Sequence, residues 1–265
     1  MNYAEGGGGD TPVVLLHGAT LNWQSMNDVG SALGDIAHIY ACDLPGHGRS
    51  DWVDRDYLIS DYVDEISAFV RDVSGSGSVL IGFSIGALVA IGVAARVPDL
   101  VAGVAALDPP LIARNTAFDA FSYSEAHAWI RWVDDVNRGR LTPSDAVARF
   151  MRMDPGSSEA DARQAAADVA SVDPRTTGRI VSGRTFEGFE LEEVLEALTC
   201  PALLLAGEVR LGGLVRDEDM ALFAAHTARG RTMRVHDGGH GIIWDPTAAT
   251  VSAELVQWLS THAMT

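Results

Sequence analysis

The chain has 265 residues and is 47% hydrophobic, enough to bury the core of one α/β domain with a smaller inserted subdomain. Its formal net charge of −17 argues against a nucleic-acid partner, because phosphate binding needs clustered Lys and Arg. All 19 basic residues are arginine, which excludes Schiff-base, pyridoxal and P-loop chemistry, since each needs a lysine amine.

The N-terminal segment and the cysteines indicate where the protein resides. The opening MNYAEGGGGD has neither the basic nor the apolar part of a secretion signal. The uncharged stretch 73–95 is as long as a membrane span, but its serines and glycines divide it into a strand, a turn and a helix. Cys42 and Cys200 lie at or beside apolar runs and are predicted to be buried free thiols. We therefore predict a cytoplasmic protein that contacts no membrane.

Short apolar runs alternate with amphipathic stretches, the pattern of a parallel sheet with helices on both faces. Strands are predicted at 13–16, 36–42, 79–83, 101–107, 202–206 and 232–236.

Two helices between and after these strands have clear signals. Ser60 is predicted to cap the first, and Asp245 followed by Pro246 is predicted to begin the last. The residues predicted to face inward are Val63, Ile66, Phe69, Val70 and Val73 in the first helix, and Val251, Leu255 and Trp258 or Leu259 in the last.

The region 111–198 has helical patterns and no strand signal. We predict a helical cap there, inserted into a core made of 1–110 and 199–265. Ligand cavities are built from large apolar side chains. Some of the following are therefore expected to line one: Phe118, Phe121, Tyr123, Trp129, Trp132, Phe150, Met151 and Met153.

The strongest chemical motif is GFSIG, residues 82–86, between a predicted strand and a predicted helix. Glycines on either side allow a tight turn that holds the Ser84 hydroxyl above the sheet and leaves the following N–H free. We predict that Ser84 is a nucleophile. The backbone N–H groups of Ala19, after His17-Gly18, and of Ile85 are predicted to form an oxyanion hole.

A histidine in the loop after the last strand completes the pattern. His240 follows two glycines in DGGHGIIWDP, and an imidazole there could take the serine proton and return it to a leaving group. His17 is interpreted as structural, and His236, placed inside the strand, is the weaker candidate for the base.

The order of His17-Gly18, DLPGHGRS (43–50), GFSIG (82–86) and GGHGIIWDP (238–246) resembles the α/β-hydrolase superfamily over nearly the whole chain. The resemblance implies an eight-stranded, mostly parallel sheet with helices on both faces, a cap between strands six and seven, and a serine nucleophile. Because the N-terminus is short, we expect the first family strand to be absent and 2–5 to form the second. The resemblance also implies that Asp43 and Arg49 shape a loop.

The carboxylate that should orient His240 is not at the usual family position, which is occupied by Arg210. Two alternatives remain, Asp108 and Glu208. Asp108 closes the strand after the serine helix, and two following prolines are expected to keep its backbone extended. The segment 82–108 also resembles the zearalenone-type lactonases without a gap, which places Asp108 on their acid.

The predicted function is a cofactor-independent serine hydrolase without a metal, acting on an ester or lactone of an apolar small molecule. Serine in the turn argues against the epoxide hydrolases and haloalkane dehalogenases of the superfamily, which the resemblance implies carry aspartate there. A binding protein without turnover, a carbon–carbon bond hydrolase and a cofactor-free oxygenase or lyase remain open. The sequence does not predict an oligomeric state.

Overall fold

One mostly parallel sheet forms the centre of the molecule. A computed structural model describes residues 1–54, 57–111, 124–153, 156–181, 184–244 and 246–262. Seven strands in these ranges pair in the order β1-β3-β2-β4-β5-β6-β7, and of these β1 alone is antiparallel to its neighbour. They are β1 (Tyr3–Gly6), β2 (Thr11–Leu16), β3 (Ala37–Cys42), β4 (Ser78–Phe83), β5 (Val101–Leu107), β6 (Ala202–Gly207) and β7 (Gly230–Val235).

The predicted strands are confirmed with small shifts of their ends. The segment 2–5 contributes β1, which runs from Tyr3 to Gly6. His236 follows the last residue of β7, so its predicted place inside the strand is wrong.

Helices cover both faces of this sheet and also occupy the long connection between β5 and β6. The described helices are α1 (Asn27–Leu33), α2 (Ile59–Phe69), α3 (Ile85–Arg96), α4 (Ser124–Asn137), α5 (Pro143–Met153), α6 (Glu159–Val169), α7 (Pro174–Val181), α8 (Leu191–Glu196), α9 (Asp217–His226) and α10 (Ala248–His262).

Alternation along the strands separates two hydrophobic layers. Val14 and Leu16 of β2 pack in the layer shared with α2, α3 and α8. Val13 and Leu15 pack in the opposite layer, shared with α1 and α10. Because successive strand side chains point to opposite faces, a continuous apolar run supplies both layers.

Two predicted helix starts are wrong. Helix α2 begins at Ile59, and Asp61 caps it by accepting the N–H of Leu58 at 3.0 Å, so Ser60 lies inside the helix. Helix α10 begins at Ala248, two residues after Pro246, and Asp245 lies outside the described residues.

The inward faces of both helices follow the prediction with one exception. Val73 is 40% exposed, because the chain leaves the α2 helix before it and widens into a turn of π-helix over Val70–Ser74. On α10 the predicted Val251 and Leu255 are buried, and so are both alternatives for the third position, Trp258 and Leu259.

Helices α4, α5 and α6 form a small core of their own. Trp132, Val133, Val147 and Phe150 are buried in it. The rings of Trp132 and Phe150 lie 5.3 Å apart. The division into a core and a cap over 111–198 remains a prediction, and Phe118, Phe121 and Tyr123 lie outside the described residues.

Candidate active site

Ser84 occupies a strained turn between β4 and α3. Its φ and ψ of 54° and −121° are rarely adopted by a residue with a side chain. Two close approaches maintain the turn. A Cβ on Gly82 would lie 2.1 Å from the Gly86 carbonyl oxygen, and one on Gly86 would lie 2.4 Å from that of Leu16. The spacing G-x-S-x-G is therefore required by backbone contacts on both sides of the serine.

His240 lies beside this serine. Its Nε2 is 3.1 Å from Ser84 Oγ, and its ring stacks on that of Phe83 with centroids 4.8 Å apart. The preceding Gly239 passes so close to a neighbouring loop that a Cβ there would lie 1.9 Å from the Leu211 carbonyl oxygen. The glycines before His240 therefore permit the packing that brings the imidazole to the serine.

Asp108, at the end of β5, completes a continuous line of hydrogen bonds. Its Oδ2 lies 2.7 Å from His240 Nδ1 and accepts the N–H of Leu214 at 2.9 Å, while Oδ1 accepts the N–H of Gly207 at 2.9 Å. The side chain is fully buried. The prediction of an extended backbone is wrong, since φ is +44°, and the turn aims the carboxylate at β6 and at His240.

Glu208, the alternative acid, has other partners. Its Oε1 lies 3.0 Å from His236 Nδ1, and it also pairs with Arg210. The hydrogen bond from His236 lowers the pKa of the Glu208 carboxyl. The structure therefore brings Asp108, rather than Glu208, to His240.

The predicted oxyanion loop lies against the serine. A Cβ added to Gly18 would be 3.2 Å from Ser84 Cβ, which places the following Ala19 beside the nucleophile. Ile85 is the first residue of α3, where a backbone N–H has no acceptor within the helix. The N–H groups of Ala19 and Ile85 donate to no other described residue.

Two buried histidines support this loop. His17 Nε2 accepts the N–H of Leu44 at 3.0 Å, and His47 Nε2 accepts the N–H of Thr20 at 3.2 Å. Their rings lie 5.1 Å apart. Burial lowers the pKa of His17 to about 4, and burial together with the nearby His17 lowers that of His47 to about 3. Both imidazoles are therefore neutral, in agreement with a structural role for His17.

Asp43 anchors the same region. Its buried carboxylate accepts the side-chain N–H of Asn2 at 2.7 Å and the backbone N–H groups of Trp23 and Arg49 at 2.8 and 2.9 Å. The segment 43–50 is thus tied to the N-terminus and to the chain after β2, as a shaped loop requires.

A narrow cavity opens between these loops and the helices that precede β6. The residues that line it are Ala19, Leu44, His47, Tyr57, Tyr62, Ile85, Thr176, Ile180 and Thr185. Ala19 and Ile85 place one end of the cavity at the predicted oxyanion hole. None of the described aromatic or methionine residues predicted to line a pocket takes part, and Trp129, Trp132 and Phe150 pack against one another instead.

A metal site or a thiol nucleophile would need particular side chains among the described residues. No group of three His, Cys, Asp or Glu side chains within them could hold a metal ion. Cys42 and Cys200 are buried free thiols. Burial raises the pKa of the Cys42 thiol above its usual range and that of Cys200 to about 11, so neither is a ready nucleophile. No described helix is long and apolar enough to cross a membrane.

Residues 13–253 match the model of the alpha/beta hydrolase family, and the chain belongs to this family. The fold described above agrees with this family. One relative, the 2-(acetamidomethylene)succinate hydrolase of Mesorhizobium japonicum, is 32% identical over 155 residues, which span 56% of this chain and 55% of the relative. A haloalkane dehalogenase of Bradyrhizobium diazoefficiens is 28% identical over 86% of this chain and 70% of its own length.

Solved structures show the same fold. The N-formylmaleamic acid deformylase of Pseudomonas putida superposes with a TM-score of 0.77 and 19% identity over 95% of this chain and 94% of its own. Further similar proteins include esterases and lactonases. The relatives are therefore hydrolases of several bond types.

Sequence reasoning missed several residues that shape the site. Thr20, with a φ of 65°, accepts a hydrogen bond from Trp129, and Thr185 lines the cavity. A threonine in a loop or short helix carries no distinguishing sequence pattern. A β-branched residue with positive φ has no signal of its own either.

Proposed function

We propose that this protein is a serine esterase or lactonase that cleaves an apolar small molecule through Ser84, His240 and Asp108. The observation that carries the proposal is the line of two hydrogen bonds, 3.1 Å from Ser84 Oγ to His240 Nε2 and 2.7 Å from His240 Nδ1 to Asp108 Oδ2. In this order the carboxylate keeps a proton on Nδ1 and leaves Nε2 free to accept one from the serine.

The proposed reaction has two halves. Ser84 Oγ attacks the carbonyl carbon while His240 Nε2 takes its proton, and the resulting oxyanion accepts hydrogen bonds from the N–H groups of Ala19 and Ile85. Loss of one such donor typically raises a barrier by about 3 kcal/mol. The tetrahedral intermediate collapses, and His240 returns the proton to the leaving alcohol. Water, activated by His240, then releases the acid from Ser84.

The cavity favours a neutral, largely apolar substrate. No arginine is among the described residues that line it, and His47 is neutral, with its pKa near 3. A succinate derivative such as the one in the name of the Mesorhizobium relative carries two carboxylates. Burying these without cationic partners would be costly, so the proposed substrate is uncharged.

Nucleophilic attack is tested with a fluorophosphonate that labels activated serines. We expect one adduct on the wild-type protein, located on Ser84 by peptide mapping, and none on Ser84→Ala. An unlabelled wild-type protein, or a Ser84→Ala variant labelled equally well, would contradict the proposal. Hydrolysis of p-nitrophenyl esters of increasing chain length and of several macrolactones would then define the substrate class.

A further inference from the structure

The cavity beside the oxyanion hole is lined by a fully buried hydroxyl that has no partner among the described residues. Thr185 is 1% exposed, and its Oγ1 has no hydrogen-bond partner among the described residues. Buried hydroxyls are nearly always hydrogen-bonded, because desolvation without a partner is unfavourable. The exception at Thr185 therefore needs an explanation.

Three other polar side chains of the lining are already engaged. Tyr57 donates its hydroxyl proton to Asp173 at 2.8 Å, and Thr176 donates to the Asp173 carbonyl oxygen at 2.8 Å. Both ring nitrogens of His47 have partners within 3.2 Å, the Thr20 N–H and the Pro45 carbonyl oxygen. Among the described lining residues, Thr185 and Tyr62 thus have hydroxyls without a protein partner, and the Thr185 hydroxyl is the fully buried one.

We propose that Thr185 is a specificity residue, which hydrogen-bonds an uncharged polar group, such as a ketone or hydroxyl, in the part of the substrate that reaches this narrow cavity. The inference rests on the proposed function, because it places the reacting carbonyl at the Ala19 and Ile85 end of the cavity. The substrate class is then an ester or lactone with a second oxygen function along an otherwise apolar chain.

The chemistry of the lining supports an uncharged group over a carboxylate or an ammonium group. A threonine hydroxyl both donates and accepts, so it can serve a ketone or a hydroxyl. The lining includes the apolar side chains of Ala19, Leu44 and Ile180, and an ion there would lack a partner of opposite charge. A site built to hydrogen-bond a substrate group discriminates against the analogue that lacks it.

The test compares pairs of p-nitrophenyl esters. Each unbranched acyl chain is paired with a counterpart in which a ketone replaces one methylene. The position of the ketone is varied along the chain, and positions close enough to activate the ester are left out. The measured quantity is the ratio of kcat/KM within a pair. Intrinsic reactivity is identical for every variant, so a change in the ratio between variants reports recognition.

We expect the wild-type protein to prefer the ketone at one position and Thr185→Val to lose about tenfold of that preference. Thr185→Ser retains the hydroxyl and should keep most of the preference. Thr176→Val is the matched control: it alters the same cavity by the same change at a hydroxyl that is already engaged, and should keep the wild-type ratio.

Several results would overturn the inference. One is a ketone preference that survives in Thr185→Val, and another is a loss shared equally by Thr176→Val. Absence of any preference in the wild-type protein, or failure to hydrolyse the whole series, would also overturn it. If Ser84 still forms the fluorophosphonate adduct in such cases, the proposed function stands and only the role of Thr185 fails. Failure of both the adduct and the hydrolysis overturns the two together.

Discussion

Asp108 illustrates how one buried side chain can serve both the site and the fold. Its carboxylate accepts two backbone N–H groups, from Gly207 and Leu214, in addition to its contact with His240. These bonds stabilise the charged carboxylate in a site from which water is excluded. They also tie β5 to the loop after β6, where Arg210 takes the usual family position of the acid.

Replacing Asp108 by Asn is expected to lower kcat by about 10⁴-fold, since an amide cannot hold the imidazole in the required tautomer or stabilise its charged form. The melting temperature of the same variant should also fall. The amide NH₂ of asparagine would have to face one of the N–H groups from which the carboxylate accepts a hydrogen bond. The kcat is measured on the best p-nitrophenyl ester.

Glu208→Gln is the control for this variant. Glu208 contacts His236 and Arg210, so its neutralisation should leave kcat near the wild-type value. Near-normal turnover in Asp108→Asn together with an inactive Glu208→Gln would reverse the assignment of the acid.

At the scale of elements, a helix that precedes β6 contacts the oxyanion loop directly. Trp129 of α4 donates its indole N–H to Thr20 Oγ1 at 2.8 Å, and this hydroxyl donates to the Ala19 carbonyl oxygen at 2.5 Å. Thr20 also has a φ of 65°, which a β-branched residue adopts only when its surroundings hold it there. The position of α4 is thereby linked to the peptide that follows the proposed oxyanion donor, the Ala19 N–H.

Trp129→Phe is therefore expected to lower kcat by up to about tenfold, the value of one hydrogen bond, with a smaller change in KM. Trp132→Phe is a control on the same helix, because the Trp132 indole N–H donates to the Ala146 carbonyl oxygen inside the α4–α6 core. This second variant should lose thermal stability and keep its kcat. Equal kcat values for Trp129→Phe and the wild-type protein would contradict the link.

The elements that sequence could predict are those specified by local contacts. The turn at Ser84 could be predicted because its flanking glycines are required where backbone segments pack closely. The strands could be predicted from short apolar runs. The cavity could not be predicted, because it depends on pairs far apart in the chain, such as Tyr57 and Asp173, separated by 116 positions. The backbone of Asp108 departs from the preference for an extended residue before proline. Hydrogen bonds from β6 and from the loop after it hold the carboxylate in the observed turn.

At the scale of the whole molecule, the two buried histidines link stability to pH. In the unfolded chain these imidazoles bind protons below about pH 6.5, whereas in the folded protein the pKa values are about 4 for His17 and about 3 for His47. Within this window the unfolded state binds more protons. The free energy of unfolding therefore falls as the pH decreases, by up to about 1.4 kcal/mol per pH unit for each imidazole.

Urea unfolding between about pH 7 and about pH 5 measures this slope. His47→Gln should reduce it by the share of one imidazole, whatever the variant does to stability at neutral pH. A His47→Gln slope equal to that of the wild-type protein would show that His47 is not buried in its neutral form.

The central claim is that hydrolysis proceeds through an acyl group on Ser84, and it is tested most directly by mass spectrometry of the protein quenched in acid during turnover of a p-nitrophenyl ester. We predict that the intact mass increases by one acyl group, located on the peptide that contains Ser84, and that the increase is absent in Ser84→Ala. Turnover by the wild-type protein without acylation of that peptide, or undiminished turnover by Ser84→Ala, would contradict the account.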